Sequence, residues 1–163
     1  MKHVNVWTLR LRVAVAACTL LLLPVPGTPA IKNTAIVTAA ASKLNDVPLA
    51  DLVKLCKGTA KAWPDGHSFT LVIKDPDSPE TRGAVEKLLG APSGELRSYI
   101  AKLNESRQVV KIVDTDDNVM AAVSSIPGAI GLVDVYSINS SVKVLRLDGK
   151  LPFDVGYALK GYA

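Results

Sequence analysis

Residues 69–73 read FTLVI, a continuous apolar and β-branched run without the alternation of a half-wet strand. Such a run must be covered on both faces, which is the situation of a strand inside a parallel sheet flanked by helices. Residues 129–133 repeat the pattern, residues 109–113 are a further β-branched strand candidate, and between these runs the apolar residues recur at three and four. Val85, Leu88 and Leu89 predict the inner face of a helix running from Pro79 to about Leu89, with Ser78 as its cap and Gly90 as its terminator. Leu96, Tyr99, Ile100 and Leu103 predict a second amphipathic helix after Ser93 and Gly94, and Val119, Met120 and Val123 a third over 115–124. Upstream, residues 34–39 read as a strand, and residues 48–57 as a helix with Asp46 as cap, Pro48 at its start and Gly58 at its end. Residues 142–147 form a last strand before the turn Asp148-Gly149, and an irregular tail follows to Ala163. Strands alternating with helices give an α/β layer fold with a mainly parallel sheet, whose ligands gather beyond the strand ends.

The first 30 residues read as an address. Lys2, His3, Arg10 and Arg12 precede an uncharged apolar stretch at 13–25, then Pro24, Pro26, Gly27 and Pro29 break any helix, and Thr28 and Ala30 fit a signal peptidase. A signal peptide over 1–30, cut after Ala30, and a domain over 31–163 are therefore expected, with a periplasmic or secreted destination. The alternatives are a retained membrane anchor, for which the apolar run is short, and lipidation at Cys18. The chain has 19 basic and 15 acidic residues, but after residue 30 the numbers are 16 and 15. That near-neutral balance argues against nucleic acid, which needs a clustered basic surface. Cys56 is then the single thiol of the expected mature chain, and with Leu49, Leu52 and Val53 it falls on one helical face, as a buried apolar residue does.

Other constellations have plain explanations. Asp114, Asp116 and Asn118 share the one-three-five spacing of a calcium loop, but Val119 stands where that loop needs Gly and Ser125 where it needs a bidentate Glu. A solvated acidic helix start is the better reading. His67 beside Asp65 lacks a second ligand and reads as a surface turn residue, and Trp63 reads as the cover of a small core. Neither a phosphate loop, a nucleophile elbow nor a carboxylate pair is present, so no enzyme, metal or cofactor is expected.

Three stretches in order resemble the phosphate-type periplasmic substrate-binding proteins of ABC transporters, the PstS-like family. They are PLADLVKLCKG at 48–58 with WPDG at 63–66, LVIK at 71–74 leading to DSPE at 77–80, and SSIPGAIGLV at 124–133. The resemblance implies a PBP-like domain, one lobe of a periplasmic binding protein type 2 fold. It also implies an oxyanion held at a helix amino terminus by an Arg, three residues, then Ser-Gly-Thr. Here Lys74 stands at the Arg position and Ser78 at the Ser position. Pro79, which has no N–H, replaces Gly, and the acidic Glu80 replaces Thr. Lys74, Ser78, Thr81 and Arg82, with Thr115 at the next helix start, are the candidate ligand-binding residues.

The expectation is thus an exported, non-enzymatic relative of phosphate ABC transporter solute receptors with an altered oxyanion site. An envelope interaction module on the same scaffold is the alternative. The implied partners are phosphate or another small anion, and a membrane permease, a second binding lobe or a second copy of the chain. The 133 residues after position 30 are expected to supply one lobe of two.

Overall fold

The computed structural model describes residues 31–162; the signal-peptide reading of residues 1–30 and the alternatives at Cys18 lie outside them. In chain order the elements are β1 (Ile31–Ala39), β2 (Asp46–Val47), α1 (Leu49–Cys56), β3 (Thr70–Ile73), α2 (Pro79–Leu89), α3 (Leu96–Leu103), β4 (Val110–Ile112), α4 (Asp116–Ser125), β5 (Ala129–Asp134), β6 (Val142–Val144), β7 (Arg146–Leu147) and β8 (Lys160–Tyr162). The main sheet runs β4-β3-β5-β1-β6, with β8 also on β1, and β2 pairs with β7 in a separate parallel ribbon. The crossover-connected strands β4, β3 and β5 are parallel, as helical connections require, while β1 runs antiparallel to β5, β6 and β8.

The unbroken apolar runs are explained by helices on both faces. Leu71, Ile73, Ile130 and Leu132 point to the face covered by α1, α2 and α3, where Leu52, Leu55, Cys56, Val85, Leu88, Leu89, Leu96 and Ile100 meet them. Val72, Ala129 and Val133, alternating with these along the strands, pack against Val119, Met120 and Val123 of α4. Cys56 is fully buried, and burial pushes its thiol well above the ordinary range, which makes it inert packing.

The Pro127-Gly128 corner between α4 and β5 is pinned from outside. Trp63 is buried, its indole N–H donates to the Gly128 carbonyl at 2.7 Å, and its ring meets Phe69 edge-on at 5.6 Å. Gly128 has φ +78, and a Cβ there would lie 2.4 Å from the Ser68 carbonyl oxygen. At Gly131 a Cβ would come within 2.5 Å of Val119, so this glycine lets α4 lie close against β5.

Three local expectations are corrected. Asp46 does not cap α1; it sits in β2 and accepts from the Gly149 N–H, while Asp148 accepts from the Leu49 N–H, each at 3.0 Å. The ribbon of β2 and β7 brings the Asp148 turn onto the helix start, a contact between residues 99 apart that no local spacing reveals. Residues 142–147 form two strands: Leu145 is buried with its N–H still donating to the Ile36 carbonyl of β1 at 2.9 Å, and beyond it β7 joins β2. The tail is not irregular to its end: Tyr157 and Leu159 are buried and β8 pairs with β1.

Burial pushes the Tyr157 hydroxyl up to about 12; the Ile36 backbone, not in hydrogen-bonding geometry with it, offsets little of this. A raised folded value means that the contribution is complete below about pH 10, the ordinary tyrosine value, and is lost as pH rises toward 12. Alkaline denaturation should therefore cost about 2–3 kcal/mol more in the parent than in Tyr157→Phe across that window. At neutral pH the substitution should change the urea midpoint little, since the hydroxyl has no bond to lose.

Candidate functional site

The carboxyl ends of β3, β4 and β5 converge, because parallel strands with right-handed crossovers place their following loops on one edge. Lys74 leaves β3 there, α2 begins beyond Ser78, α4 begins beyond Thr115, and Asp134 ends β5. The Lys74 ammonium lies 3.0 Å from Asp116 Oδ1 and 3.5 Å from Glu80 Oε2, with its side chain only 20% exposed. Asp116 uses its second oxygen to accept from the Ser137 hydroxyl at 2.9 Å. A cation and two carboxylates thus close on one another across the helix starts.

Beside them is a small cavity bordered by Thr34, Lys74, Glu80, Thr81 and Asp134, with about 10 Å³ of room for a water centre. That is space for roughly one water molecule. Of the five sequence-derived candidates, Lys74 and Thr81 border this cavity. Ser78 occupies the cap position of α2, but its hydroxyl is buried without a hydrogen-bond partner; the Thr81 and Arg82 N–H groups go to the Ser78 carbonyl instead. Arg82 is exposed and donates to the Asp77 carbonyl. Thr115 caps α4, its hydroxyl accepting from the Asn118 N–H at 3.1 Å.

Asp75 and Asp77, which lie between Lys74 and Ser78 in the chain, are both engaged by the Arg97 guanidinium of α3, with Asp77 Oδ2 at 2.7 Å from Nε. Asp116 as the partner of Lys74 was missed. The two stand 42 positions apart, and the only local signal, an acid in the first turn of a helix, is the ordinary complement to the helix dipole. His67 and Asp65 form an exposed turn pair, Nδ1 to Oδ2 3.1 Å, and the His67 backbone N–H, then its ring, hold the Asp65 carboxyl below its ordinary value. Among the described residues no group of three His, Cys, Asp or Glu could hold a metal ion.

No protein-family model matches the chain. One curated relative, phosphate-binding protein PstS 2 of Streptococcus agalactiae, is 32% identical over 79 residues, which are 48% of this chain and 26% of that protein. Among solved structures, a phosphate ABC transporter-type substrate-binding protein from Clostridium perfringens, holding phosphate, aligns with a TM-score of 0.64 at 18% identity, covering 82% of this chain and 54% of that one. An ABC-type phosphate transport receptor from Vibrio cholerae gives 0.59 at 19% identity over 76% and 49%, and PstS from Borrelia burgdorferi gives 0.60 at 17% over 82% and 56%. The chain therefore spans about half the length of these structures and about a quarter of the curated relative is matched. The resemblance to phosphate-type substrate-binding proteins is upheld by both comparisons.

Proposed function

We propose that this chain, PstS-like and folded as one lobe of a phosphate-type substrate-binding protein, is an extracytoplasmic, non-enzymatic receptor lobe whose oxyanion position is filled by its own side chains. The observation that carries the reading is the Lys74 ammonium held between Asp116 and Glu80. In a receptor of this kind the cation at that place faces the ligand. Here it is already compensated, the adjoining cavity has room for about one water, and Pro79 contributes no N–H at the first helical position. Two carboxylates within a few ångströms of an incoming anion would each cost about 4 kcal/mol per unit of its charge at an intermediate dielectric, enough to cancel what one lysine and a helix terminus supply.

A lobe of this kind gains a closed cleft by meeting a second surface: another binding lobe, a second copy, or a membrane permease. Support for such a face comes from Tyr136 and Phe153, 83% and 59% exposed, whose ring centroids lie 6.3 Å apart just beyond Asp134. Calorimetry with phosphate and sulfate, with sedimentation of the same samples, tests the reading. We expect no saturable heat below about 1 mM of either anion, an affinity weaker than roughly −4 kcal/mol. A micromolar phosphate isotherm on the monomer would overturn it.

A further inference from the structure

The opposite end of the sheet carries a different concentration of charge. A cleft of about 440 Å³ opens at the amino ends of β3 and β4, floored by Tyr99, Leu103 and Val109 and edged by Lys57, Lys61, Lys102 and Arg107. Arg107 is half-buried and fixed by two carbonyls, Nη1 donating to Phe69 at 3.2 Å and Nη2 to Ala60 at 3.3 Å. A guanidinium has five N–H donors, so Arg107 is held in one orientation with donors left over. Lys57 is a rim residue, its ammonium laid over Gly90.

What distinguishes this cluster is that four cations and no carboxylate line one concavity. Lys54, Lys74 and Arg97 each have a carboxylate within ion-pairing distance, but among the described residues none lies within 4.0 Å of Lys57, Lys61, Lys102 or Arg107. Glu105, nearby in sequence, is exposed and does not line the cleft. In a chain whose charges otherwise nearly balance, four cations around one concavity focus a positive potential into it.

We propose that this cleft is an anion site for a small molecule carrying two or more carboxylate or phosphate groups, with Arg107 as the oriented fork and Lys61 and Lys102 as flanking charges. The volume falls within the range of small-molecule sites, roughly 300–1,000 Å³. Concavity and the apolar floor favour a compact ligand over a membrane surface, and the guanidinium plane suits the paired oxygens of either acid. Arg107 and Phe69 precede β4 and β3 while Lys74 follows β3, so the proposal does not depend on the Lys74 reading.

The test is an NMR titration of the full chain with citrate in one arm and inorganic pyrophosphate in the other, for the parent and for Lys61→Gln/Lys102→Gln. Both lysines are exposed and their ammonium groups make no hydrogen bond in the structure, so the variant should fold as the parent does. Saturable shifts confined to residues 57–61 and 99–109, at least about tenfold weaker in the variant and weakened by salt, are expected. Response to citrate alone assigns the site to carboxylates, to pyrophosphate alone to phosphates, and either supports it. Shifts that are equal in the variant, that centre on Lys74, or that appear only with anionic phosphatidylglycerol vesicles would overturn it, as would silence toward both anions at about 10 mM.

Discussion

Alanine at position 128 should cost about 2–5 kcal/mol, read as a lower urea midpoint at unchanged slope. Two penalties combine. At φ +78 a Cβ meets its own carbonyl neighbours, worth about 1–2 kcal/mol. The same Cβ would lie 2.4 Å from the Ser68 carbonyl oxygen and 3.0 Å from His67 Cβ, and these are backbone and near-backbone atoms that a rotamer change cannot move. The hairpin around residues 62–68 would have to retreat, which loosens the Trp63 indole from the Gly128 carbonyl and the Trp63 ring from Phe69. Gly66→Ala supplies the control. Its φ is +89, yet an added Cβ meets nothing within 4 Å, so only the conformational penalty of about 1–2 kcal/mol should be lost. Equal losses at the two positions would mean that the corner is not held by close approach to the hairpin.

The same corner shows how far a sequence carries structural information. Pro127-Gly128 is a local stop between helix and strand, since Pro cannot continue a helix and Gly accepts the left-handed turn that follows it. What lay beyond local reading was the reason for Gly131, which answers to α4 packing across β5, and the indole bond of Trp63, which spans 65 positions. The edge strand β4, interrupted by Lys111, rested on its β-branched residues, whereas strands β3 and β5 were legible because burial on both faces leaves an unbroken apolar run. β8 was not, since Lys160 to Tyr162 shows no pattern of its own and is a strand only because β1 offers it an edge. At the site, Lys74, Ser78 and Thr81 became candidates through the family resemblance, and the structure brings Lys74 and Thr81 to one small cavity. Their electrostatic state was not legible, because it depends on Asp116 and Ser137 arriving from other crossovers, and on Arg97 drawing Asp75 and Asp77 outward.

Glu80→Thr combined with Asp116→Asn should convert the ion-paired lysine into an anion site. The double variant removes both carboxylates from Lys74, and threonine also shortens the side chain that borders the one-water cavity. In the absence of ligand the variant should be less stable than the parent, because a lysine that is 20% exposed keeps its desolvation cost and loses its partners. Phosphate should then act as the missing counter-charge. The expected signature is a melting temperature that rises with phosphate in the variant and stays flat in the parent, with an affinity at least about tenfold tighter than the parent's, or about 1.4 kcal/mol. The direction follows from which charges are deleted: two anions leave, the cation stays, and the buried Ser78 hydroxyl at the start of α2 has no bond to surrender before it can turn to a ligand. The amide that Asp116→Asn introduces can still accept from the Ser137 hydroxyl through its oxygen, so the start of α4 keeps its link to the loop after β5. A variant that melts lower and ignores phosphate would show that Lys74 is a structural cation, its two carboxylates present to neutralise it and not to replace an anion.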